Sequence, residues 1–162
     1  MSTRIAVPWS LALAERCPAV KVTGLDHPEV IEHLLQRARE LGLQDRVEAL
    51  GGDMFTVALE PGSFDLVMIG QVLRIVPPEQ ARALVHRMAE TLEPGGAMVV
   101  IDAFADDDDD SRRRHAVYAL HLAIRSPGEV HSEDTVRAWM EEAGLSEFRR
   151  LSLGLASHIN AL

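Results

Sequence analysis

The chain has 162 residues, 47% of them hydrophobic, enough for one substantial core, and a single domain over 1–162 is the expectation. Its 16 Lys and Arg against 25 Asp and Glu leave a net charge of -9, so no basic surface is available for nucleic-acid phosphates or anionic lipid headgroups, and neither is expected as a partner. The one cysteine, Cys17, rules out an internal disulfide and fits a reducing cytoplasm; no residues have metal-ligand spacing, and no apolar stretch approaches a membrane span.

Val20 to Leu25 is short, β-branched and apolar, and reads as a strand; it ends at Asp26-His27-Pro28, with Pro28 suited to the first turn of a helix. From Glu29 to Leu41 the apolar residues Val30, Ile31, Leu34, Leu35, Ala38 and Leu41 recur at helical spacing, and Gly42 stands where a C-terminal cap belongs. Arg46 to Leu50 reads as a second strand closed by Gly51-Gly52. Phe64 to Ile69 is almost continuously apolar, the pattern of a strand buried on both faces in a parallel sheet. Pro77-Pro78 opens a helix expected to reach Leu92, stopped by Glu93-Pro94-Gly95-Gly96, and Ala97 to Phe104 is a further buried strand.

Asp106 to Asp110 reads as a solvated acidic loop, because five adjacent carboxylates cannot all face one ion. Arg112 to Ile124 has helical character and Ser126-Pro127-Gly128 breaks it. Ser132 is placed to cap a helix from Glu133 to Ala143, with Gly144 just past its end. Glu147 to Leu153 and Leu155 to Ala161 then alternate as two strands about Gly154, an antiparallel hairpin. Strands alternating with helices predict an α/β, Rossmann-like, doubly wound and mostly parallel sheet with a C-terminal antiparallel hairpin, in which ligands bind outside the carboxyl ends of the strands.

With these elements in order, the chain from about Trp9 onward resembles the class I S-adenosylmethionine-dependent O-methyltransferases of plant phenolic and bacterial polyketide pathways. The resemblance is carried by Val22-Thr23-Gly24-Leu25-Asp26-His27-Pro28-Glu29-Val30, Gly52-Asp53-Met54-Phe55, Phe64-Asp65-Leu66-Val67, Leu92-Glu93-Pro94-Gly95-Gly96 and Glu142-Ala143-Gly144-Leu145. It implies S-adenosylmethionine as cofactor and a small phenolic or polyketide-type molecule as methyl acceptor. The acid matching Asp26 accepts the ribose hydroxyls, a task that suits an acceptor-only carboxylate, with a helix N-cap as the alternative. The acid matching Asp53 accepts from the adenine amino group, with a turn residue as the alternative. Met54 is expected on the purine, Phe55 in the core, and Gln71 at the cofactor.

At the position of Arg74 many relatives carry a histidine that acts as general base on the phenol. A guanidinium stays protonated, so Arg74 cannot take that role. It is expected either to stabilise a phenolate or hold a carboxylate, or to be a solvated charge at a helix start. His115 and His121, on the helix that lines the substrate pocket in relatives, are the candidate replacement bases; His33 and His86 are read as surface or core-edge residues. The family's glycine-rich turn is missing: Thr3 to Ser10 contains no glycine, with Thr3 to Val7 expected as a short strand and Trp9 to Glu15 as the following helix. Its loss implies a weakened hold on the methionine end of the cofactor.

Relative to the family, the N-terminal dimerising portion is also missing. That implies a homo-oligomer or a partner chain, and leaves open a non-catalytic methyltransferase-like subunit or a degenerate fragment. A nicotinamide-binding domain is disfavoured by the wholly absent glycine fingerprint.

Overall fold

The computed structural model describes residues 7–105, 120, 124, 126–151 and 159–161, and the chain divides into two compact units, Met1–Leu59 and Glu60–Leu162.

The first unit contains α1 (Val7–Arg16), β1 (Val22–Asp26), α2 (Pro28–Glu40), a 3-10 turn (Gln44–Arg46) and β2 (Val47–Gly51). β1 and β2 pair in parallel, with Val22 opposite Val47 and Asp26 opposite Gly51. Helix α2 buries Ile31, Leu34 and Ala38 along one face, against Leu11 and Ala14 of α1 and Val22 and Val47 of the strands. Gly24 makes that approach feasible, since a Cβ there would sit 2.1 Å from Leu34 Cδ2. The end of α2 is a Schellman cap. Gly42 takes the left-handed backbone (φ 69°), its N–H donates to Arg39 O, and Leu43 N–H donates to Ala38 O.

The N-terminal expectation needs correction at one residue. Val7 opens α1 instead of ending a strand, and Pro8 lies in the helix's first turn, where a missing N–H costs nothing. The expected strand's Thr3 to Ala6 lie outside the described residues. The far end of α1 is held by Arg46, whose Nη1 lies within donor distance of the carbonyls of Ala14, Cys17, Pro18 and Val20, at 2.9 to 3.2 Å.

The second unit contains β3 (Phe64–Gly70), a 3-10 turn (Leu73–Ile75), α3 (Pro78–Ala89), β4 (Leu92–Ala103), α4 (Glu133–Glu142) and β5 (Ile159–Ala161). The sheet order is β3-β4-β5. β3 and β4 are parallel, with Leu66 opposite Ala97 and Gly70 opposite Ile101; β5 runs antiparallel to β4, with Asp102 opposite Asn160. Phe104, Leu73, Val85, Val100 and Val136 are the largest fully buried side chains of this unit, each worth on the order of 1.5–3 kcal/mol of burial.

α3 stops at Ala89, short of the expected Leu92. Thr91 accounts for this: its hydroxyl donates to Met88 O, while its carbonyl accepts the N–H groups of Ser63 and Phe64 and so feeds the chain into β4. α4 begins as expected, with Ser132 Oγ accepting Thr135 N–H at 3.1 Å, and ends in a second Schellman cap at Gly144 (φ 87°). Of the expected hairpin, the reversed last strand is present but its neighbour is β4. Glu147, at φ 64°, cannot continue an extended strand, and Ser146 to Arg150 form none. The connecting residues 152–158 lie outside the described set. So does most of the expected helix from Arg112, of which Leu120 and Ile124 are helical.

Two measurements check these local arguments. Arg46→Ala should lower the stability of the first unit by about 1–3 kcal/mol, read as a lower urea midpoint, because charge-assisted bonds to part-buried carbonyls are lost. Across α3 and α4, a hydrogen bond from Arg82, and secondarily one from His86, holds the Glu142 carboxyl below its ordinary range. A lowered folded-state value adds stability above the unfolded value, lost as the pH falls through the folded one. Glu142→Gln should therefore lower the melting temperature at neutral pH and leave it unchanged well below the carboxyl range.

Candidate active site

In the first unit two carboxylates stand at the carboxyl ends of adjacent parallel strands. Asp26 is the last residue of β1, half-buried, and Asp53 follows the end of β2, exposed. Gly52 N–H donates to Asp26 O at 3.0 Å and ties the loop after β2 to the end of β1. Asp26 Oδ1 accepts the N–H of His27 at 2.8 Å; α2 is capped at His27 without a side-chain bond, so Asp26 is not its N-cap. Asp53 Oδ1 accepts Phe55 N–H at 2.8 Å and its carbonyl accepts from Thr56 and Val57, so it does shape a turn. Each acid has a second carboxylate oxygen that accepts nothing among the described residues. Met54 is half-buried, and Phe55 is half-buried too, outside the core where it was expected.

Acceptor-only groups at two neighbouring strand ends fit a ligand that offers hydroxyl and amino donors, as an adenosine does. For the methionine end the described residues contain no glycine turn: Val7 to Ser10 are helical.

In the second unit the polar residues at the carboxyl ends of β3 and β4 form one buried cluster. Gln71, directly after β3, has φ 56°, a left-handed conformation that costs a non-glycine residue about 1–2 kcal/mol. It is held there by its N–H, which donates to Ile101 O at 2.7 Å. Arg74, in the turn that follows, is only 9% exposed, so the solvated-charge alternative does not hold. Its Nη1 donates to Asp102 Oδ1 and its Nη2 to Gln71 Oε1 at 2.8 Å. Asp102, 2% exposed, also accepts from Leu73 N–H at 3.1 Å and Ala103 N–H at 2.8 Å.

His131, 5% exposed, lies on the other side of the same turn, with Nε2 3.2 Å from Leu73 O. A carbonyl only accepts, so Nε2 carries the proton and Nδ1 faces Glu129 at 3.7 Å. The imidazole meets Trp139 edge-on, centroids 4.8 Å apart. Gly128 closes the cluster: a Cβ there would lie 2.2 Å from Arg74 O, so only glycine permits this backbone approach.

Asp102, His131 and Gly128 were missed by the sequence reading. For Asp102 the signal was present, since it is the lone charge within the apolar run Ala97 to Phe104, and a buried charge needs a partner. His131 lies in a loop with no periodicity to mark it. The candidate bases His115 and His121 lie outside the described residues. Removing one partner of a buried ion pair leaves the other uncompensated, so Asp102→Ala should cost about 3–5 kcal/mol by urea denaturation. The double change Asp102→Ala with Arg74→Met should cost less than the sum of the two singles.

Residues 10–146 match the family described as the O-methyltransferase domain. Among curated relatives, the tetracenomycin polyketide synthesis 8-O-methyl transferase TcmO of Streptomyces glaucescens is 29% identical over 133 residues, 82% of this chain and 39% of that protein. The N,N-dimethyltransferase OxyT of Streptomyces rimosus is 39% identical over 106 residues, 65% of this chain and 30% of its own length. Among solved structures, an O-methyltransferase family 2 protein from Planctomyces limnophilus DSM 3776, in complex with apigenin, superposes with a TM-score of 0.85 at 24% identity, covering 94% of this chain and 45% of that one. The mitomycin 7-O-methyltransferase MmcR superposes at 0.80 with 27% identity, covering 93% and 43%. The chain thus spans less than half the length of each of these proteins, and shares their α/β, Rossmann-like fold. It belongs to the O-methyltransferase domain family, whose cofactor is S-adenosylmethionine.

Proposed function

We propose that this chain is the cofactor-binding part of an O-methyltransferase that methylates an oxygen of a small phenolic or polyketide-type acceptor. The observation that carries this reading is the pair of half-open carboxylates at the carboxyl ends of β1 and β2, in a chain of this family. Asp26 accepts from the ribose hydroxyls and Asp53 from the adenine amino group, while Met54 packs its thioether on the purine. When bound, S-adenosylmethionine supplies a methyl group activated on a sulfonium sulfur.

The protein's part is then to orient, to exclude water and to take the acceptor's proton. Arg74 stays protonated and does not take it; His115 or His121 fills that role in this reading. A second copy or a partner chain belongs to the same proposal, supported by the exposed apolar side chains of Leu120 and Ile124, four residues apart. A cytoplasmic location fits the lone exposed Cys17, and among the described residues no helix is long and apolar enough to cross a membrane.

Calorimetry tests the reading directly. Wild-type protein should bind both S-adenosylhomocysteine and adenosine. Asp26→Ala and Asp53→Ala should each weaken both ligands by about 10- to 100-fold, the loss expected for a hydrogen bond to a charged group. Absence of binding by the wild type, together with no methylated product from a panel of phenols, would sink the proposal.

A further inference from the structure

Gln71 carries more structural investment than a loop glutamine needs. Its backbone is left-handed, its N–H is fixed to Ile101, and its side chain is gripped by a buried guanidinium. Because a guanidinium can only donate, the atom facing Arg74 Nη2 must be the carboxamide oxygen, and this settles which way the amide is turned. The NH2 end is therefore directed away from Arg74, and it has no acceptor among the described residues. Arg74 is fixed in turn by Asp102, which also accepts from Leu73 and Ala103, and its backbone is pressed by Gly128.

We propose that Gln71 is the ligand-contacting side chain of this cluster, donating a carboxamide N–H to an anionic oxygen of the bound small molecule, and that Arg74 and Asp102 are positioning residues acting through it. The inference rests on the methyltransferase reading and refines it. The oxygen with the required chemistry is the ionised oxygen of a phenol or enol acceptor.

The test measures binding of three probes by calorimetry: S-adenosylhomocysteine, adenosine and 4-nitrophenolate. Gln71→Gly relieves the left-handed backbone while taking an acceptor from Arg74, two opposing effects on stability; it should keep a cooperative melt yet bind 4-nitrophenolate about tenfold more weakly. Gln71→Glu keeps an oxygen for Arg74 but turns the donor into a like charge, and should weaken it further. A loss for 4-nitrophenolate with S-adenosylhomocysteine and adenosine unchanged identifies the acceptor oxygen. Arg74→Met should weaken binding in the wild-type background and add nothing in the Gln71→Gly background, which a merely structural role would not produce. Should Arg74→Met lose its cooperative melt, Arg74→Met with Asp102→Asn removes both charges and takes its place.

Wild-type binding that is unchanged in both Gln71 variants would overturn this inference and leave the methyltransferase reading standing. So would an Arg74→Met loss that persists undiminished without Gln71. A wild type that binds none of the three probes would overturn the inference together with the reading it rests on.

Discussion

The second unit depends on one buried ion pair. Taking Arg74 and Asp102 out of water costs several kcal/mol per charge, and their attraction offsets this with the help of further hydrogen bonds that absorb part of the remaining polar capacity. Asp102 takes two backbone N–H groups besides the guanidinium, and Arg74 takes the Gln71 carboxamide. The pair therefore does more than join β4 to the turn after β3. It fixes the direction of Leu73 N–H, while His131 fixes the opposite face of that residue through its carbonyl. A turn held on both faces has little freedom to move, and this is what a pre-organised ligand contact needs.

The first unit reaches a similar end by different means. Among its described residues no charge is buried; Asp26 and Asp53 stand at the carboxyl ends of two parallel strands, whose register sets their position while local N–H groups set their orientation. The tight packing of α2 on Gly24 keeps β1 and its terminal acid in place, and the Gly52 to Asp26 bond keeps the neighbouring loop with them. The first unit thus presents acceptors on a rigid edge.

Much of this was legible in the sequence, for identifiable reasons. The 3.6-residue period of α2, Pro28 at its start and Gly42 past its end name the helix within a residue at each end, and Ser132 with Gly144 does the same for α4. Asp26 and Asp53 were placed correctly at strand ends because apolar runs ending in acidic or glycine-rich turns mark such ends. What was not legible depended on tertiary partners. Nothing local shows that Thr91 would be drawn into hydrogen bonds with Ser63 and Phe64, and so α3 read three residues too long. Arg74 read equally well as a solvated charge, because its counter-ion lies 28 residues away in another strand. The reversed last strand was correctly seen, but a short glycine connection pointed to a hairpin partner, while the partner found is β4.

The pairing of Arg74 with Asp102 also bears on what kind of catalysis this turn supports. In the proposed reaction an anionic oxygen meets a cationic sulfonium group, so charge is lost on the way to the transition state. An uncompensated guanidinium beside that oxygen would stabilise the starting anion more than the transition state, and interactions stronger in the ground state do not accelerate a reaction. Neutralised by Asp102, the guanidinium exerts little net field and serves instead to hold Gln71. A carboxamide donor orients an oxygen with a neutral hydrogen bond, roughly half as strong as a charge-assisted one, and so costs the nucleophile less of its reactivity. With a paired arginine in this turn instead of a titratable group, the turn supplies no base, and in the proposed reaction its contribution is orientation.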